Sequence, residues 1–465
     1  MMERQEKVYL ILLFMVYMFV YMVSGAFIQA REPGVISAVW IERNYYLRLF
    51  FGVVGYYISG EYKSIISHRG AWHRKVFVGI SFICCISVIM LAVISSPLLF
   101  LFWANLLAVC VGVCGGEVYA CMSARLYLTD YMGKVMGFGA SAAIILQCLL
   151  QRVMGGSIAG ALVLAIDFGI LAALFMRGDN ASDAKRTLEM QESEQISEKT
   201  LCRIVGITMF FSCFFMYYNE NLLRLIIVKN SILYEIYGWP RIFSIMGYLV
   251  VGFVGDIKKR KYVPFAVLCM AIPALITSLL PVTEENYLLI MCIFYICLGA
   301  LASYVNLVYW SIAPRTKNMT LWAGMGRILM GVTELFWGIM GLSRLSNVTI
   351  VVIELFMIIF MIIFMALNGD LSFAEICDIP SEELPVRAVD RMEEYRSVYK
   401  LTQKESEVLG YLIFREDTLQ EIADSMHISR RVLQRYITSI YEKTGTRTRS
   451  GLVLHYMTYD TGTSE

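Results

Sequence analysis

Apolar residues in this chain come in long unbroken blocks, where a water-soluble helix or strand would show a one-faced or alternating pattern. A bilayer core of about 30 Å needs roughly 20 apolar residues of helix. Twelve stretches meet that need, at about 8–30, 37–60, 76–97, 98–122, 134–154, 155–177, 201–222, 238–255, 262–282, 286–313, 321–343 and 348–369. The first is read as a retained helix, because its apolar block exceeds the roughly 7–15 residues of a signal-peptide core. The polar stretch 178–200 separates residues 1–177 from 201–369, six helices from six. Residues 370–396 form a second polar segment, and from 397 to 465 the pattern is that of a soluble helical domain. The expected fold is all-α, a 6+6 membrane bundle followed by a small four-helix domain.

Composition sharpens this picture. Hydrophobic residues make up 58 % of the 465 and charged residues 17 %, against roughly 45–50 % and 25 % in soluble proteins. That excludes an ordinary soluble enzyme, a disulfide scaffold and a disordered chain. Nearly all of the 12 cysteines sit inside apolar runs, where they act as small hydrophobes. Cys110 and Cys114 share a helix face, but no histidine in their stretch completes a metal site. His68, His73, His427 and His455 fall in loops or near the C-terminus, so no catalytic set assembles and no cofactor is expected. Small residues four apart, such as Gly156 and Gly160, are expected to let helices pack closely.

Loop charge orients the bundle. With the N-terminus in the cytoplasm, inner loops hold 17 Lys and Arg, among them Arg74, Lys134, Lys185, Lys258 and Arg315, and outer loops hold six. The positive-inside bias places both termini in the cytoplasm, with the chain in the cell membrane. Charges inside the spans are candidate ligand contacts, because each costs at least ~2.5–3.5 kcal/mol at mid-bilayer. Glu117, Asp167, Glu220, Arg327, Glu334 and Glu354 qualify, with Glu117, Glu220, Arg327 and Glu334 chosen as ligand-binding candidates. Arg327 and Glu334 are seven apart on one face of the eleventh helix. They either line a central cavity or form a mutual or interhelical ion pair.

After the eighth stretch comes Gly252-Phe-Val-Gly255-Asp256-Ile-Lys258-Lys259-Arg260-Lys261, echoed after the second by Gly60, His68-Arg69-Gly70 and His73-Arg74-Lys75. This loop and the 6+6 count resemble the major facilitator superfamily. The resemblance implies two halves rocking about a central site. The first-half loop lacks the acid in register, and the fifth helix lacks a proline-bearing antiporter pattern.

The C-terminal region carries a different chemistry. Thr402-Gln-Lys-Glu405 and Thr418-Leu-Gln-Glu421 are capping boxes that open two helices. Met426-His427-Ile428 make a tight turn, and Ser429 caps a third helix that ends at Gly445. A fourth runs from about Thr448 to Met457. In the third helix Leu433, Ile437, Ile440 and Tyr441 share a core face, while Arg431, Gln434, Arg435 and Thr438 share the opposite one. Residues 427–457 hold six Lys/Arg against the single acid Glu442, and 400–426 hold three bases and six acids. Positive charge is concentrated where phosphates would lie.

These residues resemble the LuxR/GerE-type helix-turn-helix domain, through Leu401-Thr402, Glu405, Val408-Leu409, Glu421-Ile422-Ala423, Ile428-Ser429, Ile440, Lys443, Gly445 and Arg449. The resemblance implies that Gln434, Arg435 and Thr438 face bases and that Ser429, Arg430, Arg431 and Lys443 lie near the DNA backbone. Val432 and Tyr436 replace the usual Thr and His, and Glu416 or Asp417 stands for the usual glycine.

Together the two regions read as a bacterial, membrane-bound, one-component transcription regulator. Its expected partners are promoter DNA, the lipid bilayer, an unidentified small-molecule ligand and a second copy paired on DNA. The alternatives are a secondary transporter whose appended domain regulates its own gene, and a bundle that is a passive anchor. No enzymatic activity is expected.

Overall fold

The computed structural model describes residues 2–66, 70–127, 129–150, 156–178, 196–227, 239–257, 260, 262–280, 286–340, 347–367, 395–414, 419–426, 428–446 and 448–458. They divide into two compact units, Met1–Asp378 and Ile379–Glu465. The described residues are helices and their connections, with no strand among them.

The first unit contains twelve α-helices among its described residues. The first six are α1 (Met2–Arg31), α2 (Ala38–Ile66), α3 (Gly70–Val93), α4 (Pro97–Leu126), α5 (Met132–Leu150) and α6 (Ile158–Arg177). The next six are α7 (Glu198–Ile227), α8 (Ser244–Gly255), α9 (Val263–Ser278), α10 (Tyr287–Ile312), α11 (Met319–Met340) and α12 (Asn347–Leu367). Seven of these helices are long and apolar enough to cross a membrane, and three shorter helices are apolar as well. The remaining two, α2 and α11, carry charges along their length, including Arg48 and Glu61 in one and Arg327 and Glu334 in the other. Large apolar side chains stand on the outside of the bundle, among them Leu98, Leu149, Ile339 and Phe356. Such a surface suits lipid rather than water.

The halves meet along two matched seams. Helix α2 packs on α11, and α5 packs on α8. Adding six to each first-half number exchanges the two seams, the signature of an internal twofold repeat. At the α5–α8 seam the backbones touch. A Cβ at Gly133 would lie 1.9 Å from the Gly252 carbonyl oxygen, so only glycine fits. Beyond that contact Asp256 closes the start of α5. Its Oδ1 accepts from Gly133 N at 2.7 Å and its Oδ2 from Lys134 N at 3.0 Å. A carboxylate there satisfies free helix N–H groups and complements the helix dipole. The Gly252–Asp256 loop signature thus ties one half to the other.

At the α2–α11 seam Asn318 takes up this work. Its Oδ1 accepts from Leu321 N at 3.1 Å, and its Nδ2 donates to the Gly60 carbonyl at 3.2 Å. The acid absent from the first-half loop is therefore replaced by a polar residue of the opposite half. The glycine expectation is corrected at one place. Gly156 stands outside α6 with φ +72, ahead of the Ser157 cap, so it is a turn residue. Close helix packing instead uses Gly52, Gly55 and Gly112 between α2 and α4.

The second unit holds α13 (Gln403–Phe414), α14 (Leu419–Ser425), α15 (Arg430–Thr444) and α16 (Arg449–Thr458). Val408, Leu409, Leu412, Ile422, Leu433, Ile437, Ile440 and Leu452 form its core, joined by Tyr395 and Tyr456. The capping box at α13 is present, with Thr402 N donating to Glu405 Oε2 at 2.7 Å and Glu405 N donating to Thr402 Oγ1 at 3.3 Å. The expected second box rests on Thr418 and the turn on His427, and both residues lie outside those described. So do most of the two polar segments, 179–195 and 368–394.

Candidate functional site

Helix α15 is set by its ends and its buried stripe. Ser429 adopts an extended conformation and its hydroxyl accepts from Val432 N, so it caps the first turn. Gly445 ends the helix in the left-handed region at φ 70, where a residue without Cβ is unstrained. Leu433, Ile437, Ile440 and Thr444 point into the core. Their burial turns Arg430, Arg431, Gln434, Arg435 and Thr438 outward, and all five are exposed. Tyr441 is half-buried against the same core.

Helix α14 precedes this helix by a short turn, bridged by Ile428 N donating to the Ala423 carbonyl at 3.0 Å. Two helices joined this way, the second presenting polar side chains of major-groove reach, form a helix-turn-helix. Arg is suited to guanine edges and Gln to adenine edges. Thr438 Oγ1 donates to the Gln434 carbonyl at 3.0 Å, which holds its methyl group and oxygen on the outer face.

Two basic residues at the rim have internal partners that sequence spacing did not show. Lys443 Nζ lies 2.6 Å from Glu405 Oε2 and donates to the Lys400 carbonyl at 3.2 Å. Ser439 donates to Glu405 Oε1 at 2.6 Å. Partial burial opposes the charge on Glu405, but the bonds from Lys443, Ser439 and Thr402 outweigh it and hold the carboxyl down to about 2. Arg449 Nε donates to the Leu412 carbonyl at 3.0 Å, closing the end of α13.

In the membrane unit Glu117, Arg327 and Glu334 each have different partners. Glu117 is buried on α4, where its Oε1 accepts from Tyr62 at 2.8 Å and Ser59 at 3.3 Å, both on α2. The side chain of Glu220 lies outside those described. Glu334 accepts from the Tyr45 hydroxyl and from Asn219 Nδ2 at 3.3 Å. Arg327 Nε donates to the Tyr119 hydroxyl at 2.9 Å. The two α11 charges therefore do not pair with each other, which removes the mutual ion pair from the readings.

The surroundings of Arg327 are aromatic. Its guanidinium stands 5.6 Å from the ring of Tyr21 and 6.0 Å from that of Tyr119, with Tyr56 and Tyr248 also beside it. Tyr17 and Tyr56 share a hydroxyl–hydroxyl hydrogen bond. These tyrosines come from α1, α2, α4 and α8, so both halves contribute. A search for charged residues finds Arg327 and passes over its tyrosine partners. Tyrosines sitting inside apolar runs, away from the ends where a membrane-interface role would place them, were the available signal.

Fold and site together define a polytopic membrane protein with a helix-turn-helix domain of the LuxR type. Residues 399–456 match the family described as GerE, bacterial regulatory proteins of the luxR family. Among solved structures the chain is similar to the major facilitator proton:xylose symporter XylE bound to 6-bromo-6-deoxy-D-glucose, at TM-score 0.52 and 14 % identity, covering 77 % of this chain and 95 % of that one. No curated protein matches. The chain is thus a fusion of a bundle with the major facilitator fold and a LuxR-type domain.

Proposed function

We propose that this protein is a membrane-bound, one-component transcription regulator whose bundle senses a small molecule or the state of the membrane. The carrying observation is the exposed row Arg431, Gln434, Arg435 and Thr438 on α15, in a chain whose remaining fold is a membrane bundle. On DNA, Gln434, Arg435 and Thr438 face base edges. Ser429, Arg430, Arg431 and Lys443 lie along the backbone, and a second copy reads the adjacent half-site. Both termini are cytoplasmic, in line with the loop-charge bias. A linker of 27 residues, the length of 370–396, reaches ~26–31 Å r.m.s. as a random coil, comparable with the ~34 Å between half-sites. Movement of the two halves shifts the origin of that segment and changes how two DNA-binding domains pair. The test replaces residues 1–369 with an unrelated membrane anchor. Promoter occupancy that stays responsive to growth conditions, as in the full chain, would remove the sensing role.

A second reading is a working secondary transporter with an appended autoregulatory domain. The part-buried carboxylate of Glu334, hydrogen-bonded by Tyr45 and Asn219 of opposite halves, favours it. Solute flux lost in Glu334→Gln would support transport, and its absence would leave the bundle as sensor or anchor.

A further inference from the structure

Arg327 is a part-buried cation in an apolar bundle, and among the described residues no carboxylate pairs with it. Its Nε bonds the neutral hydroxyl of Tyr119, Nη2 reaches the Met18 sulfur at 4.0 Å, and the neutral Tyr248 hydroxyl lies within hydrogen-bonding reach of the guanidinium. Tyrosine faces attract a cation through their ring quadrupole but supply no net negative charge. An arginine kept in such a place without a counter-ion marks a functional position.

A second observation lies on α10. The Trp310 ring packs 5.3 Å from Tyr119, the same tyrosine that Arg327 bonds. Trp310 is fully buried, and its Nε1–H has no hydrogen-bond partner among the described residues. One turn earlier on the same face, Asn306 is 1 % exposed and neither atom of its amide has a partner among the described residues. Buried polar groups are ordinarily satisfied, and those left open call for an explanation. Of these groups an indole N–H and a guanidinium donate only, and an amide nitrogen adds donors. The surplus is of donors, so the missing partner is an acceptor. The side chains packed against these groups, Phe14, Tyr21 and Tyr119, are aromatic.

We propose that Arg327 on α11, together with Tyr119 and with Trp310 and Asn306 of the α10 helix that packs on α11, binds a small organic carboxylate with an apolar or aromatic body. The carboxylate sits on the planar fork of Arg327, for which its geometry is matched. The indole and amide N–H groups complete its shell, and the body lies against the rings. Because the tyrosine cage draws on α1, α2, α4 and α8, such a ligand bridges the two halves and favours the arrangement in which all four helices close around it. This assignment rests on the reading of the bundle as a ligand sensor and names the class of ligand.

The test uses the purified full-length protein in lipid nanodiscs. Thermal unfolding and tryptophan fluorescence are followed during titration with benzoate, with hexanoate, with their neutral amides, and with inorganic phosphate. The proposal expects a saturable rise in Tm and a fluorescence change with the carboxylates, little with the amides and none with phosphate. Arg327→Gln weakens the response by about tenfold or more. Arg327→Lys, which keeps the charge for folding but loses the fork, retains a weaker response, and Tyr119→Phe an intermediate one. Equal binding of amide and carboxylate, an unchanged response in Arg327→Gln, or no saturable response to any carboxylate overturns the proposal. Amide binding that alters promoter occupancy would discard the carboxylate class and leave sensing intact. Arginine-dependent carboxylate binding without any effect on occupancy would keep the site and discard sensing.

Discussion

Lys443 on α15 and Glu405 on α13 lie 2.6 Å apart, and Glu405 also receives Ser439 and the Thr402 backbone. One carboxylate thus fixes the recognition helix to the first helix of its domain. Glu405→Gln is expected to destabilise the domain by about 1.5–3 kcal/mol, the range for hydrogen bonds to a charged group. Urea unfolding of the 379–465 fragment measures it.

The same contact fixes a pH dependence. Glu405 titrates near 2 when folded, against about 4.3 in an unfolded chain. Its stabilisation is therefore fully present above the unfolded value and is lost as pH falls from about 4.3 toward 2. Across that window the native fragment should lose more stability than Glu405→Gln.

The proposed function divides the exposed face of α15 by role. Gln434→Ala and Arg435→Ala are each expected to cost about 1–3 kcal/mol at the specific site and to relax discrimination there. Arg430→Ala and Arg431→Ala should weaken all sequences alike and lower the salt slope by about one. Fluorescence anisotropy over a salt series separates the two outcomes.

At the seam between the halves, Gly133→Leu places carbon where the Gly252 carbonyl already lies, so folded protein should be lost from detergent extracts. Asp256→Asn keeps the shape and removes the charge at the start of α5. It should cost about 0.3–2 kcal/mol, read as a modest fall in the Tm of the detergent-solubilised protein.

The spans were legible because a run of roughly 20 apolar residues has few other uses. Less so were α8 and α9, of 12 and 16 residues, the second containing Pro273. The recognition helix was fully legible, since Ser429, Gly445 and the Leu433–Ile437–Ile440 stripe are local signals. What escaped were contacts made across the fold. Lys443 and Glu405 are 38 apart in sequence, and Arg327 meets Tyr119 over 208 residues. Nothing in the spacing of either residue announces its partner, because the match exists only after the helices pack.

The proposed function is the reading of promoters by a membrane-held domain through α15. Its most direct test is genome-wide DNA crosslinking of the tagged full-length protein beside a Gln434→Ala/Arg435→Ala double variant present in the membrane at equal amount. Discrete promoter peaks that vanish in the variant are the expected result. Peaks unchanged by the double substitution, or no peaks under any of several growth conditions, would contradict it.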